Sequence, residues 1–87
     1  MHEMSLLADL MKKIEMIADQ ENARRVSCVR LKLGALAHIS PDHLREHFEE
    51  SARGTRAESA RLEITEIADT QDPHAQEILL ESVDVET

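Results

Sequence analysis

The sequence predicts an α+β fold: a single domain in which two helices pack on one face of a three-stranded mixed sheet, in the order helix, strand, helix, strand, strand. Apolar residues recur at helical spacing over 4–20 and again after Ser40, while three other segments alternate as strands do. With 87 residues, 41% of them hydrophobic, the chain supports one core and no second one, so residues 1–87 are read as one domain.

The first helix rests on Met4, Leu7, Leu10, Met11, Ile14, Ile17 and Ala18, which share one helical face, with Asp9, Lys12, Lys13 and Glu15 on the other. The polar stretch from Gln20 to Arg25 ends it. Val26 to Leu33 reads as a half-buried strand, with Val29, Leu31 and Leu33 inward and Cys28, Arg30 and Lys32 outward, and Gly34 supplies a place to turn. Ser40, Pro41 and Asp42 make a strong helix start, since they offer a capping hydroxyl, a proline at the first turn and an acid at the positive dipole end. The second helix runs to about Arg53 on an inner stripe of Leu44, Phe48, Ser51 and Ala52, and Gly54 can adopt the left-handed conformation that ends helices. Ala60 to Ile67 reads as a strand with Leu62 and Ile64 inward. In the last strand Ile78 and Leu80 have one parity, Val83 and Val85 the other, so a bulge near Ser82 is needed for all four to face the core. The strand–helix–strand portion fits a parallel crossover.

Composition excludes several functions. Phe48 is the only aromatic residue, and the formal charge is -8 with no clustered Lys and Arg, which argues against nucleic-acid binding. An acidic surface suits cations or a basic protein partner. Cys28 is the only cysteine, so one chain can form neither an internal disulfide nor a cysteine-pair zinc site. No apolar run reaches the roughly 20 residues that span a bilayer, and residues 1–13 lack the order of a secretory signal; a cytoplasmic protein without membrane attachment is expected.

Candidate chemistry is concentrated at the start. In Met1-His2-Glu3 the terminal amine and the His2 amide nitrogen would close a five-membered ring on a metal, and that amide with the His2 ring a six-membered one. Deprotonating a backbone amide requires a strongly polarising ion with a square-planar preference, which selects Ni(II) or Cu(II) over zinc. Glu3 could add its carboxylate or amide. His43 and His47 lie one helical turn apart and such pairs can clamp a metal, but with Glu46 and Glu50 nearby they read first as a solvated flank. His38 and His74 read as surface residues. Cys28 has no evident base within local reach, and the carboxylates are scattered, so no catalytic residues are assigned and an enzyme is not expected.

Several segments together resemble the HypA/HybF nickel-insertion proteins: Met1-His2-Glu3-Met4-Ser5-Leu6, then Val29 to Leu36, Pro41 to Phe48, Arg53-Gly54-Thr55, Ala60 to Ile64, and Ser82 to Glu86. The resemblance implies a metallochaperone that receives or passes Ni(II), held by Met1, His2 and Glu3, during maturation of [NiFe]-hydrogenase. It also implies a HypB-like GTPase and the hydrogenase large subunit as partners, with urease maturation factors for some members. Relatives carry two cysteine pairs in a zinc ribbon between the last two strands. Here residues 68–77 bridge that interval as a short cysteine-free loop, so structural zinc is not expected. Some relatives place a carboxylate near the position of Ser40 that approaches nickel; Asp42 is the nearest acid in this chain. The alternative is a zinc-free paralogue serving as an interaction adaptor or scaffold in hydrogenase maturation without delivering metal.

Overall fold

The computed structural model describes residues 2–87, with the side chains of residues 2–5 outside that description. It consists of α1 (His2–Gln20), β1 (Arg25–Leu33), α2 (Pro41–Ala52), β2 (Arg61–Glu66) and β3 (Ile78–Glu86). The strands form one mixed sheet in the order β2-β1-β3, in which β1 runs parallel to β2 and antiparallel to β3. The parallel pair is joined through α2, as the sequence predicts for a strand–helix–strand unit.

α1 buries Leu7, Leu10, Ile14 and Ala18, and α2 buries Leu44, Phe48 and Ala52. Both stripes meet Val26, Val29, Leu31, Leu33, Leu62 and Ile78 of the sheet in one core cluster. α1 starts at His2, two residues before the first apolar position of the predicted stripe, because extending a helix that has already nucleated adds one hydrogen bond for each residue fixed. Its end has a specific device. Asn22 adopts a left-handed conformation (φ 54°), and Ala23 N donates to Ala18 O at 2.9 Å while Asn22 N donates to Asp19 O at 3.1 Å, which satisfies the last carbonyls. At α2 the Ser40 hydroxyl accepts from His43 N at 3.1 Å with Pro41 at the first turn, and Gly54 beyond the end has φ 77°.

The last strand contains the expected irregularity. In the β1–β3 register Arg30 faces Ser82 and Leu31 faces Leu80, so Glu81 is an extra residue, and Ile78, Leu80, Val83 and Val85 all pack at the core. A second irregularity is not visible as strict alternation. Val26 pairs with Val85 and Cys28 with Asp84, leaving Ser27 out of register, which turns Val26 into the core beside Val29. Cys28, expected to face outward, is buried between its register neighbours Arg61 and Asp84.

Gly34 is needed for a different reason than turning. Its φ is not positive, but a Cβ there would stand 2.2 Å from the Ala75 carbonyl oxygen and 2.6 Å from that of His74. The loop of residues 68–77 lies directly on the end of β1. Ile67 N donates to Leu33 O at 2.8 Å, Gly34 N to Glu77 O at 2.9 Å and Leu36 N to Ala75 O at 2.7 Å, and Ala75 is buried.

Candidate metal centre

Of the predicted ligands, Met1 lies outside the described residues, as do the side chains of His2 and Glu3; the backbone of His2 and Glu3 forms the first turn of α1. That placement matters chemically, because the first four N–H groups of an α-helix have no acceptor within it. The amide nitrogens wanted by a metal are therefore not committed to the helical ladder. The positive pole of the helix also favours negative charge at the same end, including that of a deprotonated amide.

α1 is held in place from both sides of its axis. Its apolar stripe is in the core, and on its exposed side Arg56 donates to Glu15 Oε1 at 3.2 Å, to Asp19, and to the Ala23 carbonyl oxygen at 3.2 Å. The hydrogen bond to Asp19, with further support from Glu15, raises the Arg56 pKa from its ordinary value. Arg56 belongs to the segment between α2 and β2, and its own carbonyl accepts from Val26 N at 2.8 Å. One arginine thus joins α1, β1 and that segment. No sequence periodicity announces such a contact across 41 residues.

The remaining candidate residues are dispersed. His38 is exposed with φ 60°. Ser40 is engaged as the α2 cap, and Asp42 is exposed in the first turn of that helix. His74 Nδ1 lies 3.0 Å from Glu77 Oε2, and the His74 N–H donates to Asp72 Oδ1 at 2.8 Å, so this histidine is tied into its own loop. The His43 and His47 rings stand side by side with centroids 4.6 Å apart. Among the described residues no group of three or more His, Cys, Asp or Glu side chains is gathered closely enough to enclose a metal ion.

On the open face of the sheet Arg30 spans all three strands. Its Nε donates to Glu63 Oε1 of β2 at 3.2 Å, and its terminal nitrogens donate to Ser82 Oγ at 3.2 Å and Asp84 Oδ2 at 3.0 Å, both in β3. The hydrogen bond from Arg30 holds the Asp84 carboxyl below the ordinary carboxylate range, and the same contact raises the arginine. Between α1 and β3 there is also a groove of about 480 Å³, lined chiefly by Leu6, Leu10, Met16, Ile17, Leu79 and Leu80. Among the described residues no helix is long and apolar enough to cross a membrane.

Residues 1–72 match the family model described as "Hydrogenase/urease nickel incorporation, metallochaperone, hypA". A relative named hydrogenase maturation factor HypA from Rhizobium leguminosarum bv. viciae is 46% identical over 68 residues, covering 78% of this chain and 60% of that protein. The protein of the same name from Archaeoglobus fulgidus is 37% identical over 65 residues, covering 75% and 59%. The chain therefore spans about 60% of the length of the curated relatives it matches. In three dimensions it is similar to the solution structure of the Ni metallochaperone HypA from Helicobacter pylori, with a TM-score of 0.77 at 15% identity over 97% of each chain.

Proposed function

The chain belongs to the HypA family of hydrogenase/urease nickel-incorporation metallochaperones, and from that premise we propose that it carries Ni(II) on Met1, His2 and Glu3 and passes it on during maturation of a [NiFe]-hydrogenase. The observation that carries this reading is the family match from residue 1 together with a histidine at the second position. The chemistry is consistent with it. A terminal amine, one or two deprotonated amides and an imidazole supply the in-plane nitrogen donors that a d8 ion prefers. The helix supplies amides free of internal acceptors.

Delivery requires partners. A HypB-like GTPase would supply or gate the nickel, the hydrogenase large subunit would receive it, and urease maturation factors are a further destination suggested by the breadth of the family description. All of this takes place in the cytoplasm, and the protein acts by binding and transfer, not by catalysis. The loop of residues 68–77 takes the place of a zinc-binding module, so the metal of this chain is cargo alone and no structural zinc is required.

A nickel titration of untagged protein tests the proposal. Loading should produce the absorption of diamagnetic, square-planar Ni(II); His2→Ala should abolish it, and acetylating the terminal amine should weaken it. An unchanged spectrum in His2→Ala would reject the assignment. Because the terminal amine has a reference pKa of about 7.7–8.0 and must lose its proton to bind, affinity should fall as the pH is lowered.

The cysteine-free interval of residues 68–77 favours one second reading, a zinc-free paralogue that acts as an adaptor or scaffold among maturation proteins without delivering metal. Hydrogenase maturation in cells separates the two: His2→Ala leaves it intact for an adaptor and stops it for a carrier.

A further inference from the structure

We propose a second metal site on α2, in which His43 and His47 bind a borderline divalent cation such as Ni(II), Cu(II) or Zn(II) through one ring nitrogen each, with water completing the coordination. Residues four apart on a helix share a face, with Cβ atoms about 5–6 Å apart, so two such histidines can reach the same ion. Here the rings are already neighbours, with centroids 4.6 Å apart and planes tilted by 36°. Ring rotation, not backbone movement, is all that convergence on one ion requires.

Four further observations support the assignment. Leu44, Phe48 and Ala52 anchor α2 in the core, so the backbone under the two histidines is fixed. His43 is exposed and His47 partly so, on the side of this buried stripe opposite Arg45, whose guanidinium is occupied by the Leu62 carbonyl oxygen at 2.8 Å. No cation from that arginine is directed at the pair. The sequence around them, His43-Leu44-Arg45-Glu46-His47, also has the histidine spacing and the intervening acid used by helical zinc sites. Asp42, Glu46, Glu49 and Glu50 on the same helix are exposed, and their charge draws cations toward it.

With two protein ligands and water in the remaining positions, this site exchanges its ion readily, whereas the amide-bound chelate at the chain start does not. It also does not depend on that chelate. Octahedral Ni(II) bound by imidazole and water is paramagnetic, while the amide chelate is diamagnetic, so one titration reads the two sites separately.

The test is a Ni(II) titration of the untagged protein and of His2→Ala, followed by the NMR signals of the histidine rings. His43 and His47 should broaden first in both proteins, with His38 and His74 persisting. His43→Gln and His47→Gln should each weaken binding about tenfold or more, since losing either ligand removes the chelate. Equal broadening of all four rings, or an affinity unchanged in both single variants, would overturn the second site. Neither variant should alter the square-planar absorption of the first, so failure of one assignment leaves the other readable.

Discussion

At Gly34 a hydrogen stands where a methyl group would meet the backbone of another segment. Because the opposing atoms are carbonyls of Ala75 and His74 and not a flexible side chain, Gly34→Ala has no cheap relief. It should cost about 1–3 kcal/mol in chemical denaturation and should expose the amides of Leu36 and Glu77 to hydrogen exchange. The sequence offers the glycine but not its reason: a turn was the natural reading, and only the approach of residues 74 and 75, some forty positions away, explains it. Gly54 is the opposite case. Its left-handed φ could be read from its place after the last apolar position of α2.

Among the elements, β3 shows what periodicity can and cannot reveal. A change of parity among four apolar residues signals a bulge near Ser82, and the extra residue is Glu81. No such signal marks Ser27, because Val26 and Cys28 are both acceptable inside and outside a sheet, so strict alternation put Cys28 outward when it is buried. Electrostatics binds the sheet where alternation leaves it polar. Asp84 has a depressed pKa owing to its hydrogen bond with Arg30, so its contribution is present above the ordinary value of 3.8 and is lost as the pH falls through the lower folded value. Asp84→Asn should therefore lower the denaturation midpoint at neutral pH and become equivalent to the unaltered protein in strong acid. A difference that persisted there would assign the loss to packing. The candidate chelate was legible as three letters at the head of the chain, and the histidine pair as a spacing; the clamp of Arg56 on α1 was not, because ion pairs distant in sequence leave no local pattern.

The described residues share one core, and the single aromatic residue of the sequence sits within it. At about 0.05–0.15 kcal/mol per residue a chain of this length is stabilised by roughly 4–13 kcal/mol. Phe48→Ala removes a side chain that is 2% exposed at a cost of about 3–5 kcal/mol, a large share of that total, so this variant should show a much lower denaturation midpoint by circular dichroism, with α1 and α2 lost together in one transition. The order of elements, the packing of both helices on one side and the parallel crossover all followed from pattern, since a chain this short has few ways to bury two stripes. What pattern left open is how Ile67 and Glu77 are tied down. Each hydrogen-bonds to one of two consecutive residues, Leu33 and Gly34, so the polypeptide departs from the sheet and rejoins it at a single berth. A detour that leaves and returns at one point imposes no size on its contents. The sheet can host a brief link there or a longer one with the same strand register.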